Sequence, residues 1–180
     1  GFVSMFEPPN GGLGLVWLDA RDQENNTTDP EGGSIGLYAA TFDAAFKATG
    51  EAMINARVCE CCSTAAAVTD LGVVTAFRDR SEKEIRDIAV TRLENGKWSD
   101  AKTVHDDNWE VDSCPVNGPA ISARGSQVAV AWFTAKGNKG RSFAAFSSDA
   151  GRTWGQPIAL EDQVSRGYVD IELLDDGSAV

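Results

Sequence analysis

Four cysteines carry the most distinctive chemistry of this sequence: Cys59, Cys61 and Cys62 in the run VCECC, and Cys114 in VDSCP. An even cysteine count in a chain otherwise low in sulfur predicts disulfides and an oxidising compartment, and leaves the pairing open. A thiolate metal site is the competing chemistry. If the segment were a strand, Cys61 and Cys62 would point to opposite faces, whereas Cys59 and Cys61 would share one and could share an ion. A second group is the acidic run HDDNWEVD, which holds the single histidine, His105. It reads as a solvated loop, or as a calcium site built from Asp106, Asp107 and Asp112, since hard cations take carboxylate oxygens. A third is SSDAGRTW, residues 147 to 154, where Asp149 can accept backbone N–H bonds inside a turn and Gly151 can supply a positive φ. No phosphate-binding glycine loop, serine nucleophile elbow or two-histidine metal pattern is present.

The elements that position these groups belong to a folded chain. Its 180 residues are 42% hydrophobic and 24% charged, enough for one ordinary domain. A formal net charge of −11 disfavours nucleic acid and anionic lipid as partners, because both recruit clustered Lys and Arg. No apolar run approaches a bilayer span, so membrane insertion is not expected. The chain starts at Gly1 without a leader-like segment and stops at Val180 where a strand should begin, so both ends are expected to be cut from something longer. The run NNTT satisfies the glycosylation pattern at Asn25 and Asn26 and predicts an exposed polar loop.

Short apolar or alternating runs bounded by Gly, Asp and Asn recur throughout: 13–18, 35–41, 64–69, 73–77, 85–93, 120–123, 128–133, 142–147 and 171–174. They predict strands. The nearest helical candidate, 42–50, conflicts with the repeats on either side of it. GLGLVWLDARD, GVVTAFRDRS and QVAVAWFTAKG each place an aromatic residue (Trp17, Phe77, Trp132) near the end of an apolar strand, at a period of about 55 to 60 residues. Around them the order repeats: a strand after a Cys or Gly-Tyr element, the aromatic strand, a third strand, a glycine turn and a fourth. Four antiparallel strands per period predict an all-β chain of β-propeller blades.

The spacing of Ser147, Asp149, Gly151, Thr153 and Trp154 resembles the Asp box of the sialidase (neuraminidase) superfamily. There the motif is a turn and packing device on the propeller rim, which implies the same structural duty here, with Trp154 between blades. Glu94 to Trp98 fills the same slot with only the glycine and tryptophan, and a first copy near Asp43 is barely recognisable. The resemblance implies that residues 1–180 are about half of a six-bladed propeller, three blades and the first strand of another. The rest of a longer chain, or a second copy, would close the ring.

Sialidase chemistry uses arginines for a carboxylate, a tyrosine nucleophile and an aspartate acid/base. GRSFAAFSSDAGRTW followed by SRGYVDIELLDDG resembles the late segment of that superfamily, which implies Arg141 as a carboxylate binder and Tyr168 as nucleophile. ARVCECCSTAAAVTDLGVVTAFRDRSEKEIRD resembles the early one, which implies Arg57 and Arg78 as anion binders and Asp87 as proton donor. Cys59 stands where the superfamily has proline, and Val169 follows the tyrosine where it has serine. CECC, FRDRSEKEIRDI and HDDNWEVDSCPVNGPA together resemble secreted bacterial Asp-box proteins labelled sialidase-like. Aligning VCECCSTAAAV with VDSCPVNGPAI puts Cys61 and Cys114 at equivalent places in neighbouring blades, where a disulfide would pin blade to blade. The expectation is a secreted or periplasmic sialidase-like propeller that binds or hydrolyses a glycan. The alternative is a non-catalytic scaffold for a ligand or protein, with a cysteine metal or disulfide cluster.

Overall fold

The computed structural model describes residues 2–8, 11–23 and 34–180. The Asn25 and Asn26 patterns lie outside the described residues. The chain is all-β. The first sheet runs β1 (Val3–Phe6), β2 (Leu13–Asp19), β3 (Ile35–Phe42) and β4 (Ala48–Val58). The second runs β5 (Ala65–Thr69), β6 (Gly72–Arg78), β7 (Ile88–Glu94), and then β8 (Lys97–Trp98) and β9 (Lys102–Thr103), both on β7. The third runs β10 (Ala120–Arg124), β11 (Gln127–Thr134), β12 (Arg141–Ser147) and β13 (Ile158–Ala159). Every pairing is antiparallel between chain neighbours, apart from the added β7–β9 pair. One short 3-10 turn, Lys136–Asn138, is the helical element among the described residues.

Strand alternation explains how the sheets stack. On β6, Val73 and Phe77 point toward Val16, Leu18 and Leu37 of the first sheet. Val74 and Ala76 point the other way, toward Val128, Val130 and Trp132 of the third. A strand buried on both faces must read as a continuous apolar run, as VVTAF does. The first strands adjoin, with β5 between β1 and β10. Trp17, Phe77 and Trp132 sit on the second strand of their sheets, opposite Tyr38, Ala89 and Phe143. Phe77 and Trp132 face the preceding sheet. Trp17 has the same outward parity; it packs on Tyr38 at 6.1 Å, with the Arg21 guanidinium 4.5 Å from the Tyr38 ring. Among the described residues no closed barrel is formed.

The apolar runs did not mark β1 or β4; β8, β9 and β13 fall where the repeat called for a fourth strand, without an apolar run of their own. β4 is the longest strand, yet most of its residues before Ile54 are exposed. An edge strand solvated on both faces needs no apolar alternation. The run expected at 85–93 starts at Ile88, because Ile85 bridges instead to Glu110. The last run, near 171–174, forms one bridge, Leu173 to Ala179, and packs Ile171 and Leu173 on Ala129, Ala131 and Ala144.

The SSDAGRTW turn is built by its aspartate. Asp149 accepts the Ser147 hydroxyl at 2.7 Å, the Arg152 and Thr153 N–H groups at 3.0 and 2.9 Å, and the Thr153 hydroxyl at 2.7 Å. Gly151 is left-handed (φ 77°), and Trp154 packs into the core between the second and third sheets. The copy near Asp43 keeps the device without the motif: Asp43 accepts the Ala45 and Lys47 N–H groups, each at 2.9 Å. The Thr153 hydroxyl above all, with the turn amides, holds the Asp149 pKa down at about 2. A depressed carboxylate contributes stability that is complete above its unfolded value and is lost as pH falls through the folded one. Asp149→Asn should therefore cost about 1 kcal/mol at pH 7, a modest figure because the group is largely solvated. The acid limb of the stability curve, from about pH 4 downward, should flatten as well. Urea midpoints measured against pH test this, and a variant with the parental acid limb would remove Asp149 as its source.

Candidate functional site

The strand register sorts the chain into two ends. Gly72 pairs with Thr69, and Leu13 with Phe42, at the end that carries the Asp149 turn. Arg78 pairs with Ile88, Ile35 with Val58, and Thr134 with Arg141 at the opposite end. Arg57, Arg78, Asp87, Arg141, the cysteines and Tyr168 all belong to this second end. Five non-glycine residues in the described loops there hold a positive φ: Glu84 (55°), Asn108 (53°), Val116 (52°), Asn138 (59°) and Tyr168 (60°). For Val116 this is a true outlier, since a β-branched side chain crowds the left-handed backbone. A groove of about 330 Å³ opens between the segments that precede β5, β10 and Ile171, lined by Cys61, Ser63, Val116, Asn117 and Tyr168.

Cys61 and Cys114 are disulfide-bonded, with Cα atoms 6.1 Å apart. The expected bridge between VCECC and Cys114 is thus present, and it joins the loops that lead into β5 and β10. Cys59 and Cys62 are buried thiols. The segment from Glu60 to Cys62 is a turn and not a strand, so Cys61 and Cys62 do not diverge: the sulfurs of Cys59, Cys61 and Cys62 all lie within 4.8 Å of one another. The neighbouring Cys62 thiol, and then Arg86, draw the Cys59 thiol below its ordinary pKa; Cys62, donating to Cys59 and buried, is pushed up.

Arg78 is 2% exposed, and its three guanidinium nitrogens donate to the carbonyls of Asn117 (2.7 Å), Arg86 (2.6 Å) and Phe133 (2.7 Å). Its charge lies over the Trp109 ring at 5.0 Å. These bonds tie the second sheet to the third. Arg57 instead meets Arg80 and Arg86 around one carboxylate. Glu84 accepts from Arg57 at 3.1 Å, from Arg80 at 2.8 Å and from Arg86 at 2.8 Å. Burial opposes the Glu84 charge, but the Arg80 and Arg86 hydrogen bonds prevail and hold its pKa down at about 2. Glu60 adds a second carboxylate, 3.5 Å from Arg86 and 3.7 Å from Arg80. Arg80, Arg86 and Glu84 were not singled out from the sequence; the alternation of charges in RDRSEKEIRD was the available signal.

Tyr168 is 81% exposed at the groove, and its N–H donates to the Asn117 side chain at 2.9 Å. Among the described residues no carboxylate is hydrogen-bonded to its hydroxyl. Asp87 is buried under the loop before Trp109 and accepts the Asn108 and Trp109 N–H groups at 2.8 and 3.0 Å; burial raises its pKa despite them. Arg141 donates to the Glu161 carbonyl at 3.3 Å. Glu84 thus brings Arg57 together with Arg80 and Arg86, while Arg78, Arg141 and the Tyr168 backbone are engaged by other groups. Asn117, quoted in CPVNGPA without a role, links the groove: its carbonyl takes Arg78, its side-chain oxygen takes Tyr168, and its N–H faces Cys62. The carboxylates of the calcium alternative, Asp106, Asp107 and Asp112, do not form a cluster among the described residues. Asp107 instead accepts the Trp132 indole N–H at 2.7 Å and bonds His105 at 2.9 Å, while Asp106 and Asp112 stay at the surface.

No protein-family profile matches the chain, and no curated protein matches it. Among solved structures it is similar to a Hadza microbial sialidase, Hz136, at 19% identity and a TM-score of 0.45, over 80% of this chain. The chain spans 39% of the length of that sialidase. A likeness of this degree assigns no activity here.

Proposed function

We propose that this chain is part of a sialidase-like scaffold that recognises a carboxylate-bearing glycan at the arginine-rich end of its sheets. The observation that carries this reading is the convergence of Arg57, Arg80 and Arg86 on a single carboxylate, that of Glu84. Three guanidinium groups facing one point make a carboxylate site whatever molecule supplies the acid. Glu84 occupies it now, so a ligand acid would have to displace that side chain or share the guanidinium groups with it. The reading treats the sheets as propeller blades, closed by the rest of a longer chain or by a second copy, and places the protein outside the cytoplasm, where a disulfide persists. Titration with N-acetylneuraminate and with its methyl ester tests it. The free acid should bind and the ester should bind at least about tenfold more weakly, with Arg80→Ala losing about tenfold on the acid alone. Equal binding of acid and ester would overturn it.

Hydrolysis is the second reading, favoured by the exposure of Tyr168 at the groove. Its hydroxyl would need a carboxylate to act as base. In the full-length protein, Tyr168→Phe should then cut sialoside turnover by about 100-fold or more with an unchanged melting curve. A parent without turnover on any sialoside would retire hydrolysis and leave recognition standing.

A further inference from the structure

The cysteine end of the molecule holds more sulfur, and more positive charge, than a disulfide needs. Cys59 Sγ and Cys61 Sγ are 3.7 Å apart, and Cys62 Sγ completes a group within 4.8 Å. Cys114 Sγ adjoins this group through its bond to Cys61, and is the nearest candidate for a fourth ligand once that bond is broken. A tetrahedral site with metal–sulfur bonds of about 2.3 Å has sulfur–sulfur edges of about 3.8 Å, so the Cys59–Cys61 spacing is already that of two ligands on one ion.

The surroundings are those of thiolates. Arg86 donates to Cys59 Sγ at 3.5 Å, the Cys61 N–H faces the same sulfur, and the Asn117 N–H and Arg78 face Cys62. Donors that point at ligand sulfurs stabilise their negative charge and orient them. Arg78 and Arg86 are each 2% exposed. Arg86 has Glu84 as partner; Arg78 spends all three nitrogens on neutral carbonyls, with the Cys62 and Cys59 sulfurs and then Asp107 as the nearby groups that favour its charge. A buried cation calls for a nearby anion. A divalent ion with four thiolates carries a net charge of about −2, which the Arg78 guanidinium beside Cys62 offsets in part.

We propose that Cys59, Cys61, Cys62 and Cys114 form a redox-gated thiolate site for a thiophilic divalent cation of the zinc type, which the Cys61–Cys114 disulfide closes and a dithiol reductant opens. In the opening step the dithiol gives two electrons and two protons to the disulfide. It leaves as its own cyclic disulfide, while Cys61 and Cys114 become thiols. On binding, the four thiols lose four protons and form four metal–sulfur bonds. Cys114 is exposed, so the reductant can reach the bridge while Cys59 and Cys62 stay covered.

Cadmium serves as the probe, because its thiolate complexes absorb in the near ultraviolet where the free ion does not. Chain reduced with a phosphine should bind one equivalent of cadmium, and the same chain loaded with zinc first should exchange its zinc for cadmium. Chain with the disulfide intact should bind at least about 100-fold more weakly, having two ligands instead of four. Cys114→Ser, which frees Cys61 at an exposed position, should bind cadmium without any reductant through the remaining three sulfurs. Reduction or this variant removes a cross-link, so strand circular dichroism is followed in parallel. If the strand signal falls, one equivalent of cadmium should restore it. The proposal is overturned if neither the reduced chain nor Cys114→Ser shows a saturable cadmium–thiolate band. Reduced Cys59→Ser and Cys62→Ser chains that bind like the parent would overturn it too.

Discussion

Arg78→Ala is expected to lower the unfolding free energy by about 3 to 5 kcal/mol, a large share of what a domain of this size has. The side chain sits at the end of β6 and reaches three separate segments: the loop before β10 through Asn117, the strand start before β7 through Arg86, and the end of β11 through Phe133. Truncation leaves those carbonyls in a dry space without a donor, at about 1 to 3 kcal/mol for each one that water cannot reach. It also removes the cation stacked on Trp109. Arg78→Lys should recover only part of the loss, since a single ammonium cannot copy three nitrogens fixed in one plane. Urea denaturation at pH 7 decides the matter. A loss under about 1 kcal/mol for the alanine variant would mean that the guanidinium does not hold the sheets together. It would then be free for the anion-binding role that the sequence resemblance implies.

Trp132→Ala should cost about the same, 3 to 5 kcal/mol, for a different reason. Trp132 is fully buried between the second and third sheets among Ile88, Val90, Val128 and Val130, with Phe143 at 5.9 Å. Its indole N–H donates to Asp107 at 2.7 Å, and that bond anchors the loop carrying His105 and Asp106. Trp132→Phe separates the two contributions. It keeps most of the packing and removes the donor, so a loss of about 1 to 2 kcal/mol is expected, with the loop amides near Asp107 exchanging faster. If the phenylalanine variant were as unstable as the alanine one, the Asp107 hydrogen bond and not the packing would be the main term.

Much of the fold was legible because alternation and turn chemistry are local properties. GVVTAF read as a strand from its short β-branched and aromatic run between turn signals; β6 is that strand, and the structure buries both of its faces. The Asp149 turn was legible for the same reason, as all its donors lie within four residues of the aspartate. Matching Cys61 to Cys114 needed only the repeat, because equivalent positions in adjoining first strands approach each other.

The candidate site was less legible, because its residues are paired by the stacking of sheets. The resemblance implied Arg57 as an anion binder, but Arg80 looked like any other surface charge until the ends of β4 and β6 were brought side by side, which let Glu84 reach both. Arg78 looked like an anion binder in the sequence; in the structure its nitrogens are taken by carbonyls from three segments far apart in the chain. The sequence by itself determined the central strands of each sheet and the Asp149 turn, since side-chain periodicity and positive-φ turns act over a few residues. Tertiary structure alone decided which charges meet and which sulfurs share a space. Those contacts depend on the register and stacking of distant strands, and no local pattern encodes them.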